Sequence, residues 1–194
     1  MDGPKTAIAN WKTQYELVVS SPFGTPGGQG WYDKDDTAFA TVTPLIVPGP
    51  VGTQYVFTHW SGDATGYTSP SDPIFMDGPK TAIANWKTQY YLTVVSAYGS
   101  PTQTSGWFDA GSNIPVSVTS PWSGPPGTQY ICLGYKVDDG PLQPGTSYTF
   151  TDIQALHEIE FEWKTQYEVT FDQTGVGPDF TDPIVTIDDT PYST

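Results

Sequence analysis

Three sets of residues in this 194-residue chain have types and spacing that could do chemistry. His59, Ser61 and Asp63 crowd together and offer a base, a nucleophile and an acid. A hydrolytic triad needs these groups ordered in space, and its members usually come from distant parts of a chain. Here His59 alternates in a strand-like run and Ser61-Gly62-Asp63 reads as a turn, so the three diverge. No catalytic residue is expected. The second set is acidic. Asp33, Asp35 and Asp36 could offer carboxylates to Ca2+, which takes about six to eight oxygens. Asp138 with Asp139, and Asp188 with Asp189, are smaller groups of the same kind. The run Asp33-Lys34-Asp35-Asp36 lacks the glycine and closing glutamate of a calcium loop, and aspartate is favoured in turns for its own backbone hydrogen bonds. The third set is aromatic. Tyr67 and Trp122 have no counterpart elsewhere in the chain, and an exposed ring offers the apolar face and polar edge a surface glycan requires. Trp31 and Trp107 recur at equivalent positions, as do Trp11, Trp86 and Trp163; recurrence places these in cores or between units.

Composition narrows the partners. The net charge is −14, from 21 acidic and 7 basic residues, and all seven basic residues are lysines. Such a chain is repelled by nucleic acid and by anionic lipid, and without arginine it has no bidentate fork for phosphate. Only 14% of residues are charged, against an ordinary quarter or so, while 14% are aromatic and Gly and Pro number 20 and 19. That mixture predicts strands joined by many short turns. Cys132 is the sole cysteine, so no intrachain disulfide exists; aligned with Phe57, it reads as a small core hydrophobe. No apolar run approaches a membrane span.

The elements follow from a repeat. MDGPKTAIANWKTQY stands at Met1–Tyr15 and again, unchanged, at Met76–Tyr90; a degraded copy, IQALHEIEFEWKTQY, ends at Tyr167. In that third copy Ile159, Phe161 and Trp163 alternate with Glu158, Glu160 and Glu162, the signature of a half-buried strand. By alignment Thr6–Trp11 and Thr81–Trp86 are strands too. Gln54–Trp60 is expected as the strongest strand, with Tyr55, Phe57 and His59 on one face and Val56, Thr58 and Trp60 on the other. His157 aligns with Lys80 and reads as a solvated turn residue.

Four divisions follow: a terminal strand at 1–14, a first β unit at 15–89, a second at 90–166, and the opening hairpin of an incomplete third at 167–194. The fold class is all-β, as tandem immunoglobulin-like β-sandwich repeats with incomplete half-units at both ends. Met1 opens inside a repeat, so it is not expected to be a start codon.

The run Tyr-x-Leu-x-Val from Tyr15, then Gly30-Trp31-Tyr32-Asp33, then Gly52-Thr53-Gln54-Tyr55-Val56-Phe57 with Trp60-Ser61-Gly62-Asp63, then Met76–Thr81 and Ala84-Asn85-Trp86, resembles the tandem repeat domains of bacterial and archaeal cell-surface proteins, distantly related to the B-repeats of internalins. The resemblance covers Tyr15–Trp86 well and Tyr90–Trp163 in part, departing at Leu133–Asp139. It implies an extracellular β-rich stalk, layer or filament, without catalytic residues, and identifies no ligand; no cofactor is expected beyond the Ca2+ that Asp33, Asp35 and Asp36 could take.

Assembly is the function these observations predict. Lys5, Thr6, Ala7, Ile8, Ala9, Asn10 and Trp11 form a strand with no unit before it. Val169, Phe171, Ile184, Val185 and Ile187 are the apolar residues of an unfinished unit. Donation of the first segment to the second, between copies of the chain, would build a filament by strand complementation. Two readings remain open at this point: that homopolymer, or two ends cut from a longer polypeptide. The alternative function is a carbohydrate-binding adhesin stalk touching surface glycans through Tyr67 and Trp122.

Overall fold

The computed structural model describes residues 3–170, 185–187 and 190–192. The chain is all-β, with no helix among the described residues. The strands are β1 (Gln14–Ser20), β2 (Thr25–Gly27), β3 (Gly30–Asp33), β4 (Thr37–Ala38), β5 (Thr41–Thr43), β6 (Ile46–Pro48), β7 (Thr53–Gly62) and β8 (Ile74–Phe75). Next comes β9 (Lys80–Ser96), the longest at 17 residues. It is followed by β10 (Gly106–Asp109), β11 (Ile114–Ser117), β12 (Trp122–Ser123), β13 (Thr128–Val137), β14 (Ser147–Phe150), β15 (His157–Tyr167), β16 (Val185–Ile187) and β17 (Thr190–Tyr192).

Strand β9 organises the molecule, because it belongs to two neighbourhoods at once. Its N-terminal half lies between β1, which runs parallel to it, and β7, which runs antiparallel. Its C-terminal half lies between antiparallel β10 and parallel β15. The register recurs: Leu17 faces Lys80 in the first parallel pair, and Leu92 faces His157 in the second. A division between residues 89 and 90 therefore falls inside one continuous strand.

Each neighbourhood buries its own core. The first gathers Leu17, Phe57, Trp60, Ile74, Met76, Ala82 and Ala84; Ala38 of β4 and Val42 of β5 come from the short pairs β4–β8 and β2–β5. The second gathers Leu92, Ile114, Val116, Phe150, Ile153, Ile159 and Phe161, with the pair β11–β14 contributing three of them. Side-chain size is traded across the strands. Trp60 lies opposite Ala84, whereas Phe161, in the place of Ala84, lies opposite Tyr135. Such exchange keeps a core filled when its members change.

Two expectations require correction. Strand β7 does not alternate cleanly: its register shifts between Phe57 and His59, so Phe57 and Trp60 both point inward. A bulge inserts one residue and reverses the alternation beyond it. The same shift occurs between Cys132 and Gly134 of β13. The second correction concerns Thr6–Trp11, which forms no strand. Residues 3–13 are exposed and precede β1 without a ladder, although their sequence recurs as the middle of the sheet. A strand needs hydrogen-bonding neighbours, and an isolated one is not stable in water.

Candidate assembly site

The occupied copy of the repeated sequence shows what that sequence is built to contact. Within β9, Ala82 and Ala84 are buried on the core face. Trp86 closes the row in a bracket of three groups. Its Nε1 donates to Ser21 Oγ at 3.0 Å, and Ser21 Oγ in turn donates to the carbonyl of Phe23. The Phe23 ring stacks on Tyr55 with centroids 3.7 Å apart, and Trp86 meets Phe23 edge-on at 5.8 Å. The bracket recurs around Trp163: Nε1 donates to Ser96 Oγ at 3.0 Å, Tyr98 stacks on Tyr130 at 3.7 Å, and Trp163 meets Tyr98 edge-on at 5.8 Å. Edge-to-face geometry sets the positive ring edge against the negative face, and the indole N–H finds the acceptor that burial demands. Trp11, in the same sequence as Trp86, is 93% exposed and has no bracket.

Beyond the tryptophan the two copies behave alike. Lys87 Nζ lies 2.8 Å from Asp109, and Gln89 Nε2 donates to the same carboxylate at 2.7 Å. Lys12 lies 2.8 Å from Asp33, with Gln14 donating at 2.8 Å. Both carboxyls are held below the ordinary value of 3.8, first by the lysine hydrogen bond and then by the glutamine, with burial opposing. The amide of Lys34 donates to Thr13 O at 2.9 Å, as that of Ala110 donates to Thr88 O at 2.9 Å. The first segment is thus an arm anchored at its C-terminal end by the clamp that β9 uses, and free along Pro4–Trp11 of any partner among the described residues.

At the far end, Gln129 donates to Gln166 at 2.9 Å, as Gln54 donates to Gln89 at 2.8 Å. The amide of Glu168 donates to Gly127 O at 2.8 Å, matching Tyr91 on Gly52 O at 3.0 Å. Gly127, Thr128, Gln129, Gln166, Tyr167 and Glu168 line an open cleft there. Of the expected acceptor residues, Val169 is 67% exposed, and Val185 and Ile187 lie in β16, which pairs with β17. Phe171 and Ile184 lie outside the described residues.

The other candidates separate. Tyr67 is 83% exposed, with its ring 6.1 Å from that of His59. Trp122 is half-buried, paired across β12 and β13 with Tyr130, so the two do not form one platform. Trp31, placed inside by its recurrence, is instead 66% exposed, and Trp107 is 39% exposed. Strand alternation explains it: Tyr32 packs on the core, so its neighbour Trp31 faces out. Asp33 is engaged by Lys12 and Gln14, and no group of three metal-capable side chains occurs among the described residues, so Asp33, Asp35 and Asp36 do not converge on one point. His59 Nδ1 meets Thr58 Oγ1 at 3.0 Å, Ser61 Oγ accepts from Asn85 at 2.8 Å, and Asp63 accepts the amide of Thr81 at 2.8 Å. Each member of that trio therefore serves a separate backbone or side-chain contact. Asp138 accepts the amide of Glu158 at 2.8 Å in the place of Asp63, and also holds His157 Nδ1 at 2.7 Å. His157 opens β15 and is not a loose turn residue.

The serines and stacked rings of the bracket escaped the sequence reading. Ser21-x-Phe23 and Ser96-x-Tyr98 recur at the repeat spacing, and that recurrence was the available signal. Comparison with protein-family profiles, with characterised proteins and with solved structures finds no match to this chain.

Proposed function

We propose that this protein is a structural element of an extracellular filament or surface layer, built of immunoglobulin-like β-sandwich repeats and assembled by strand complementation between copies. One observation carries the reading. The same seven residues stand in two states: Lys80–Trp86 is a central strand with Ala82 and Ala84 buried, and Lys5–Trp11 is exposed throughout. A sequence shaped for a slot between a parallel and an antiparallel neighbour will fill such a slot wherever one is open. Doing so satisfies its backbone groups and buries Ala7, Ala9 and Trp11. The contact joins unlike surfaces, so it propagates into a filament where it does not close a ring. The reading assigns no catalytic residue and no cofactor.

Electron microscopy and light scattering of purified protein test it. The intact chain is expected to form filaments. Removal of residues 1–11, or Trp11→Ala, is expected to abolish them while leaving the unfolding temperature of the subunit unchanged. Filaments that persist without the arm, or a chain that stays monomeric across concentration and salt, would overturn the reading. The exposure of Tyr67 supports a second role as a glycan-binding adhesin stalk; sugar-array binding lost on Tyr67→Ala is its expected signature.

A further inference from the structure

We infer that the arm's partner is the segment Tyr167–Thr170, which ends β15 and follows it, of a second copy, and that the two run parallel with Lys5 opposite Val169 and Thr6 opposite Thr170. This rests on strand complementation and specifies its partner and register. In both filled slots the entering strand runs parallel to a segment that begins at the tyrosine ending WKTQY. Leu17, two residues after Tyr15, faces Lys80; Leu92, two after Tyr90, faces His157. Tyr167 is the third such tyrosine, and Val169 stands two residues after it. Lys5 occupies in the arm the place Lys80 occupies in β9, so the register transfers directly.

The direction of the acceptor is already set. Glu168 is tied to Gly127 as Tyr91 is tied to Gly52, so the chain leaves β15 as it leaves the first half of β9. Val169 is 67% exposed where Leu17 and Leu92 are fully buried, and no strand neighbours it among the described residues. Val169 is thus an apolar residue at a core-facing place of the repeat that is uncovered among the described residues.

The arm cannot reach Val169 of its own chain, so where the two pair they do so between copies. From Leu17, level with Lys80, the chain climbs along β9 to Ser96, level with Phe161, and then along β15 to Tyr167. All three strands run the same way, and that path spans on the order of 70 Å at the usual rise. The arm's free residues, Pro4–Trp11, span at most about 28 Å fully extended.

Paired cysteines test the register. Thr6 and Thr170 correspond to Thr81 and Val18, a facing pair on the exposed side of the sheet, so Thr6→Cys with Thr170→Cys leaves the core intact. In a Cys132→Ala background, mild oxidation is expected to give a reducible ladder of dimers, trimers and longer species, with the 6–170 link identified by mass spectrometry. Either single cysteine is expected to stop at dimers. As an independent measurement, Val169→Asp is expected to eliminate filaments while leaving subunit unfolding unchanged. Filaments formed normally by Val169→Asp, or formed by the double-cysteine chain without the 6–170 link, would overturn this register while sparing complementation. Absence of both filaments and links in every variant, including the parent, would sink both.

Discussion

Asp33 and Asp109 hold the same post, each gripped by a lysine two residues before a glutamine. Asp109 ties the middle of β9 to β10, so its titration reports on that joint. Its folded value is lowered from 3.8 by Lys87 and then Gln89. A lowered value means the stabilisation is complete above the unfolded value and is lost as pH falls through the folded one. Lys87 and Asp109 are 41% and 52% exposed at their side chains, so solvent screening limits the pair to about 0–1 kcal/mol. Lys87→Met is therefore expected to raise the Asp109 titration toward the ordinary value in carboxyl NMR. It should cost up to about 1 kcal/mol at neutral pH, and that cost should vanish in acid once Asp109 is protonated in both forms. An unmoved Asp109 titration would show that the contact does not persist in solution. The clamp pairs sit at fixed offsets in the repeat, yet nothing in residue type alone marks Asp33 and Asp109 as partners; only the hairpin between β1 and β3, and its counterpart, brings them to the lysine.

At the scale of elements, Thr6–Trp11 and Thr81–Trp86 have one sequence and two structures. Local propensity is identical, so the difference is entirely the presence of β1 and β7. This gives a paired test. Ile83 lies between Ser20 and Ser61 in the sheet. Proline there removes a ladder donor and clashes inside a central strand, costing about 3 kcal/mol or more by analogy with helix interiors. Ile8→Pro, in the same sequence, is expected to leave subunit unfolding unchanged and to block assembly. Equal effects of the two on unfolding would show that the arm is already ordered against the body. The strands at Gln54–Trp60, Thr81–Trp86 and His157–Trp163 were legible from alternation and from the repeat, but the unpaired state of Thr6–Trp11 was not. The bulges in β7 and β13 were not, because one inserted residue leaves the composition of the run untouched while reversing which side chains enter the core.

Across the whole molecule, the two halves are joined by more than a shared strand. Gly52 has a positive φ of 71°, and a Cβ added there would come within 2.5 Å of Leu156 Cβ. Gly127, its counterpart with φ of 73°, would meet only Glu168 Cβ at 3.9 Å. Alanine at either position pays the left-handed backbone cost of about 1–2 kcal/mol. Gly52→Ala also forces Leu156 away, adding about 1–3 kcal/mol of overpacking. Denaturant unfolding is expected to show that excess for Gly52→Ala over Gly127→Ala, and Leu156→Ala is expected to recover part of it. Equal costs would mean that the joint lacks this contact.

Alternation, turn residues and an exact internal copy determined by themselves that this chain is all-β, that a residue pattern recurs in it at a spacing of 75–77 residues, and that one segment is written twice. Those properties are local or periodic, and they survive without knowledge of neighbours. Only the tertiary structure decided which copy is a strand, which tryptophan is bracketed, that β9 serves both halves, and that Trp31 faces water. The physical reason is that β structure is completed by hydrogen bonds to other segments, so a strand's sequence states what it can pair with and its surroundings decide whether it does.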